Sequence, residues 1–585
     1  MNKITCRPSA RDAAYALLVT MGVVGMMLVL LASVLAWGAR ESSLTTRNNL
    51  YNASLAAAEG ATEMVIAQMN RDFLCQSVNA DLGFYRNLTP GTIQGTWPLQ
   101  FEFGDGAGDV NQTGVISLGP ATVTNLNSQF AGLYGLVMPF RITAQARMLR
   151  QMYDVPVAVS QHIQLAAIPV FQFAIFYTLN LEINPGPQMI ITGKVHSNGT
   201  IYTAPVSGLE YRDFVTAAGM IINNRDPNDP QYGSSKVPPV YDTQHLEKVG
   251  ALTLPVSTDN SPSSVQEILK PPPQGEDPAS EIGQQRYYNK ADLIITTTTN
   301  GVQVTAGLWN NFTPIQPDVT NGPVTGYSFL TTTNSFKDLR ENKNTITSQI
   351  DVAALKTWIQ DPTKGSGVNA LAKLTTGHEL DSVYVDDKRV ASGKLTVVRV
   401  VNGAALPNSG LTVATQLPLY VKGHFNLNNG DITPGQTNTL QTLPASLVGD
   451  SITILSQNWN DNDAGTTLAQ RAAANTTVNA AFLGGIVETT AVGSSKYYSG
   501  GVENFPRFLE DWSNRSLTYN GSMVVMFDSR FATNLWQQTG NYYNPPLRKW
   551  AFDVNFLNQA KLPPGTPQVR KLVRGQWSVV SSYTP

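Results

Sequence analysis

The hydrophobic pattern divides the chain into two textures. From Ala13 to Ala39 no residue is charged, and almost all are apolar. As a helix this stretch spans about 40 Å, enough to cross a hydrocarbon core of ~30 Å with tilt. Beyond it, apolar positions thin to one stripe: Leu44, Leu50–Tyr51, Leu55, Ala58, Thr62, Val65–Ile66, Met69 and Phe73. That is helical spacing, and Arg40 to Phe73 contains no Pro and one Gly, Gly60. A single helix of about 60 residues, ~90 Å long, is therefore predicted. The stripe calls either for the chain's own domain or for neighbouring helices.

After Leu74 the period shortens. Val137–Met148, Asp154–Leu165 and Pro169–Tyr177 are rich in β-branched and aromatic residues and are separated by Gly, Pro and Asn-Gly turns. From about residue 170 short strand-like segments sit beside Gly or Asn: Leu181–Gly193, Lys194–Tyr202, Leu417–Asn426, Ser451–Trp459, Val478–Val487 and Leu517–Phe527. Rungs of this kind, joined by uneven loops, predict a right-handed parallel β-helix, with Asn and Gly at tight or left-handed corners. No strict period is assigned to them, and a β-sandwich pair fits the same pattern. Asn300-Gly301 predicts a hairpin, and Asp351 an N-cap for a short helix through Ile359. The fold class is accordingly mainly β: a long transmembrane and amphipathic α-helix, then a β-rich body with an α/β insertion. The segments are 1–73 (start, span and amphipathic helix), 74–169 (connecting β domain), 170–264 (first rungs), 265–380 (insertion), 381–539 (further rungs) and 540–585. The last is rich in aromatic residues and Pro and is expected to cap an open end of the stack.

Charge orients this plan. Lys3, Arg7 and Arg11, offset by Asp12, precede the span, which places Met1 in the cytoplasm and the body on the far side. Trp37 falls near the outer interface. A cleaved signal is the alternative, but its apolar region runs only about 7–15 residues. Cys6 and Cys75 then lie on opposite sides of the membrane and cannot pair within one chain. Net charge is −2 and only 14% of the 585 residues are charged, against about 25% in ordinary soluble proteins. That balance argues against a nucleic-acid binder, which would carry a basic face. Two Cys exclude a disulfide scaffold and a Cys-built zinc domain.

The N-terminal pattern resembles PilX-like type IV pilus assembly proteins. The likeness rests on the apolar segment after an Arg-containing start, on Thr45–Asn49, and on the small-residue box Ala56–Glu63. In the body it rests on Arg286–Ile295, Asp338–Asn342, Gly410–Thr415, Leu455–Asp461, Ser499–Trp512 and Tyr519–Val525. No Gly-Phe pair follows Arg11, and no Glu lies inside the apolar segment. The resemblance implies a minor pilin-like protein of the bacterial inner membrane, single-pass, with its body outside the cytoplasm or at the pilus or cell surface. It also implies a helix that packs with other pilin-like helices through Gly22, Gly25, Ala32, Ala36, Ala57 and Glu59.

Catalytic chemistry has little footing. There is no Gly-x-Ser-x-Gly elbow and no phosphate loop, and His378-Glu379 lacks a second His. His196 and His424 read as wall residues of rungs. Asp386-Asp387 and Glu510-Asp511 are the acidic pairs that a polysaccharide-active β-helix enzyme would use. The competing reading makes the first pair a solvated turn balanced by Lys388 and Arg389. It gives the second an ion pair with Arg507 in a short helix. Asp105, Asp109, Asp461 and Asp463 stand in flexible turns that offer oxygen ligands for calcium, without completing a calcium-loop pattern; Asx turns explain them equally. No cofactor is required. The expected role is structural and non-enzymatic, with the membrane and pilin-like proteins as partners. A membrane-tethered adhesin or carbohydrate-binding module is the alternative, with a surface glycan as its partner.

Overall fold

The computed structural model describes residues 10–75, 78–90, 100–126, 130, 132–256, 259–307, 313–321, 324–361, 379–537 and 540–580. Lys3, Cys6, Arg7 and His378, and the readings placed on them, lie outside the described residues. The protein is mainly β with one long N-terminal apolar helix.

Helix α1, Ala10–Leu74, is continuous over 65 residues. Its two halves have different surroundings. Apolar side chains such as Leu18, Met26, Leu30 and Trp37 are exposed. From Leu50 onward the predicted stripe, apart from the exposed Tyr51, is buried or half-buried on an antiparallel sheet. That sheet joins Phe101–Gly104, Tyr134–Met148, Val157–Pro169 and the C-terminal strand Gln568–Val580. Side-chain size grades along the contact. Ala57, Ala58 and Ala61 meet Ala144, Ala146, Val159 and Phe103. Farther on, Val65, Ile66, Met69 and Phe73 meet Phe140, Ile142, Ile163 and Leu165. Small residues on both partners let the helix approach the sheet closely at one end. Bulk fills the wider gap at the other, as close packing requires.

The helix end is clasped by the far end of the chain. Arg570, 4% exposed, donates to the carbonyls of Phe73 and Leu74, two of the last acceptors of the helix. The residues between Pro169 and Gln568 are thus inserted between two adjacent strands of the helix-bearing sheet. The 540–585 segment departs from its expected role as an end cap. Leu547–Phe552 pairs parallel to Ser516–Gly521, and Gln568–Val580 pairs antiparallel along Val157–Pro169. Paired strands satisfy backbone groups that an end cover would leave to water.

The inserted body is built mainly on parallel ladders. Its first stack opens on a 20-residue repeat. Ile175, Val195 and Val215 are successive partners, as are Leu181, Ile201 and Ile221, so each step is 20 residues. Met189 and Leu209 repeat it in a third ladder. The repeat then breaks: Val215 pairs with His245 and Glu210 with Val240, 30 residues on, so no strict period runs through the stack. Pro185/Pro205 and Gly199/Gly219 carry the 20-residue offset in the sequence. A Cβ on Gly219 would meet the Gly199 carbonyl oxygen at 2.8 Å, so the stacked corner requires glycine.

The second stack is less regular. Leu293–Thr298, Ser382–Asp387, Leu411–Thr415, Ala445–Val448, Ala481–Ile486 and Met523–Asp528 pair in that order, all parallel. A second ladder runs through Lys343–Asp351, Lys394–Val401, Leu419–Lys422 and Ile452–Leu455. Segment 265–380 is therefore not set aside as an insertion, although it carries the predicted hairpin and helix. Leu293–Thr298 pairs back on Gly301–Ala306, and Asp351 accepts from the Ala354 amide at 2.9 Å as N-cap. The corners use the expected amides: Asn426 and Asn479 exchange side-chain-to-carbonyl bonds at 2.9 Å, and Asn520 donates to Asn479 at 2.7 Å.

The stacks meet in the middle. Met523, Val524 and Val525 of the last rung pair with Ile175, Phe176 and Tyr177 of the first. The chain begins at the centre of the twelve-stranded sheet and builds outward to one edge. It then resumes toward the far edge at Leu293–Thr298 and builds back.

Candidate functional site

The residues nominated by sequence fall into three environments. Gly22, Gly25, Ala32 and Ala36 lie on the exposed half of α1, and an added Cβ at Gly22 or Gly25 would meet nothing within 4 Å. Positions 22, 25, 32 and 36 fall within one quarter of the helix circumference. Ala57 lies farther along, on the half of α1 that carries the folded head. It is 1% exposed and packed on the chain's own sheet, so it is unavailable to another helix. Glu59 is half-buried beside it.

The calcium candidates are engaged internally. Asp105 Oδ1 accepts from the amides of Ala107, Gly108 and Asp109 at 2.7–3.1 Å, an Asx turn, with Asp109 exposed. Asp461 receives both guanidinium branches of Arg399, at 2.6 and 2.8 Å, and the Trp459 indole N–H at 2.9 Å. A cation there would have to displace Arg399. Asp463 accepts from the Asn460 amide at 2.9 Å.

Both acidic pairs differ from the sequence reading. Asp386 and Asp387 are 2% and 4% exposed, within a strand rather than a solvated turn. Their counter-ions are the expected ones: Arg389 reaches Asp387 at 2.6 Å and Lys388 reaches Asp386 at 3.3 Å. Ser348 also donates to Asp387 at 2.8 Å. Burial raises the Asp386 carboxyl, partly offset by Lys388. Glu510 is not in a helix and does not pair with Arg507, which binds Glu341 at 2.8 Å. Glu510 instead accepts from the Ser456 amide and hydroxyl at 2.6 and 2.7 Å. Burial pushes it up to about 7. His196, 2% exposed, lies between Thr216 at 2.8 Å and Asn198 at 3.0 Å. His424 Nδ1 accepts from the Thr477 amide at 3.0 Å. Both histidines have the satisfied wall setting expected of them. Among the described residues no group of three or more His, Cys, Asp or Glu is arranged to hold a metal ion.

A feature that sequence reasoning missed lies where the stacks meet. A cleft of about 780 Å³ is walled by the corner Asn184–Met189 with Arg225–Gln231 on one side and by Lys496–Asn504 on the other; Trp536 and Tyr543–Arg548 complete it. The volume is in the range of small-molecule and oligomer sites. The Trp536 indole N–H donates to Tyr543 Oη at 3.0 Å. Tyr543 in turn donates to Asn504 Oδ1 at 2.8 Å, and Arg548 also reaches that oxygen at 3.3 Å. Trp536 stands edge-to-face on Tyr498 with centroids 5.3 Å apart, and Arg225 lies 5.5 Å from the Tyr498 ring. Arg225 pairs with Asp229 at 2.8 Å, both buried. Glu503 also lines the cleft, 6% exposed. Burial pushes its carboxyl up to about 7, against the opposing pull of Arg548 and Arg225. The aromatic richness of residues 540–585 was legible in the sequence. Its convergence with residues 184–231 and 496–504 was not.

No protein-family model matches the chain. No curated protein matches it either. Among solved structures, the competence-associated pilin ComZ from Thermus thermophilus aligns over 90% of this chain and 96% of its own, at 10% identity and a TM-score of 0.30. A likeness that low does not establish a shared fold.

Proposed function

We propose that the chain is a structural envelope protein of a type IV pilus-like or related secretion assembly, PilX-like in organisation. Its N-terminal helix sits in the bacterial inner membrane and its body lies outside the cytoplasm. The observation that carries this reading is the division of α1. One continuous helix is bare and apolar in its first half and clamped to a folded head in its second. The bare half is the one helix among the described residues that is long and apolar enough to cross a membrane. Left in water it would lose roughly 25 cal/mol for every Å² of apolar surface. Lipid or neighbouring helices relieve that cost, and the face carrying Gly22, Gly25, Ala32 and Ala36 suits close helix approach. We further propose that the parallel ladders wind as a right-handed β-helix. The recurrent three-ladder order and the Asn and Gly corners support that reading.

The role is packing and display rather than catalysis. The engagement of Asp386, Asp387 and Glu510 by Lys388, Arg389 and Ser456 supports that view. The test is fractionation followed by cross-linking. Full-length protein with Cys6 and Cys75 replaced by Ser, and Gly25→Cys added, should sediment with inner membranes. Oxidation should link it to pilin-like proteins carrying a Cys at the matching helix position. Recovery in the soluble fraction, or no link to any such helix, refutes the proposal.

A further inference from the structure

We propose that the cleft between the two stacks binds a neutral glycan chain. The proposal is independent of the membrane-anchoring role. It rests on the kind of groups that line the cleft and on how firmly they are held. A sugar presents C–H faces that cover aromatic rings, and hydroxyls that donate and accept within one ligand. The cleft supplies both complements: the half-buried rings of Tyr497, Tyr498 and Trp536, and polar groups on Gln188, Lys496 and Asn504. The Trp536 N–H is already spent on Tyr543, so what the indole offers a ligand is its ring. Its seat is built in. Gly500 has φ +97°, and a Cβ there would stand 2.8 Å from Trp536 Cδ1. The backbone has given up a side chain where the ring packs.

Charge selects against the other polymers that stack on aromatic rings. Arg225 is neutralised by Asp229, and the buried Glu503 lines the cleft together with the half-buried Arg548. Only Lys496 is an exposed charge there, and it is held to the Pro227 carbonyl at 2.6 Å. A single-stranded nucleic acid needs a cationic track for its phosphates, and this wall has none. A proline-rich peptide would use the rings but brings few hydroxyl or amide donors for the polar rim.

The test uses full-length protein in a detergent without a sugar headgroup, titrated calorimetrically with cellohexaose, maltohexaose, chitohexaose and mannohexaose. At least one should bind with Kd below ~1 mM. Trp536→Ala should weaken it at least about tenfold, while Trp536→Phe, which keeps a flat ring, stays within about threefold. Gly500→Ala should follow Trp536→Ala. In unmutated protein the bound sugar should slow acetylation of Lys496, read by mass spectrometry, so the proposal stays testable where a variant misfolds. It is overturned if no hexasaccharide binds, if Lys496 is not protected, or if folded Trp536→Ala binds as before. It is equally overturned if oligothymidylate or a polyproline dodecapeptide binds through Trp536 more tightly than every sugar.

Discussion

At the scale of single residues, burial decides the chemistry of the ionisable groups, and it does so with opposite signs. Burial pushes His196 down to about 4, against a weaker opposing pull from Asn198. The unfolded chain takes up this proton near pH 6.5, well before the folded one. Stability should therefore fall as pH drops from 6.5 through 4, by on the order of 3 kcal/mol in full. In urea titrations His196→Gln should lose less stability than the parent between pH 7 and 4.5. An equal loss would remove His196 as the cause. Glu182 behaves in reverse. Burial pushes it up to about 8 despite hydrogen bonds from Thr489 and Ser499. The folded state holds this proton while the unfolded chain releases it near pH 4.5, so stability falls as pH rises from about 4.5 through 8. Glu182→Gln, which keeps the acceptor oxygen, should flatten that alkaline limb in the same titrations. The wall histidines were readable from rung position alone. The depth of Asp386 and Asp387 was not, because a charged quartet reads as surface until the ladders that cover it are known.

At the scale of elements, two junctions depend on single residues. The Gly199/Gly219 corner leaves no room for a Cβ. Gly219→Ala should cost about 1–3 kcal/mol by overpacking, seen as a lowered urea midpoint. The end of α1 depends on Arg570, whose guanidinium satisfies two orphan carbonyls while buried. Arg570→Ala should cost about 2 kcal/mol or more and speed amide exchange in residues 65–74, measured by mass spectrometry. By contrast the Arg574–Glu63 pair, half exposed on both sides, should change stability by less than ~1 kcal/mol when broken. The helix, the N-cap at Asp351 and the Asn300-Gly301 hairpin were legible because each is specified by residues within one turn of itself. The 20-residue period was also present, in Pro185/Pro205, Val195/Val215, Gly199/Gly219 and Ile201/Ile221, but it extends over too few turns to stand out among irregular ones. The small-residue box at Ala56–Ala61 misled. Alanines that permit close approach look the same whether the partner is another helix or the chain's own sheet.

At the scale of the whole molecule, the chain is closed by its last strand. Removing residues 568–585 should strip one edge from the helix-bearing sheet and release the Phe73–Leu74 clasp. Trypsin should then cut at Arg71, which the intact protein should resist; continued protection would show that the head stands without this strand. The sequence by itself determined the apolar span, the amphipathic continuation of the helix and the alternation of short strands with Gly and Asn corners. It also determined the low charge, which leaves hydroxyls and amides on the outer walls. These properties are set by neighbours a few residues apart, where propensity and periodicity act. Only the tertiary structure decided that the first rung pairs with the last and that residues 170–567 interrupt one sheet. It alone turned much of the aromatic C-terminal stretch into paired strands and gathered Asn184–Met189, Arg225–Gln231, Lys496–Asn504, Trp536 and Tyr543–Arg548 around one cleft. The physical reason is that these contacts join positions hundreds of residues apart. Their register depends on the summed packing of every intervening rung, which has no local signature in the chain.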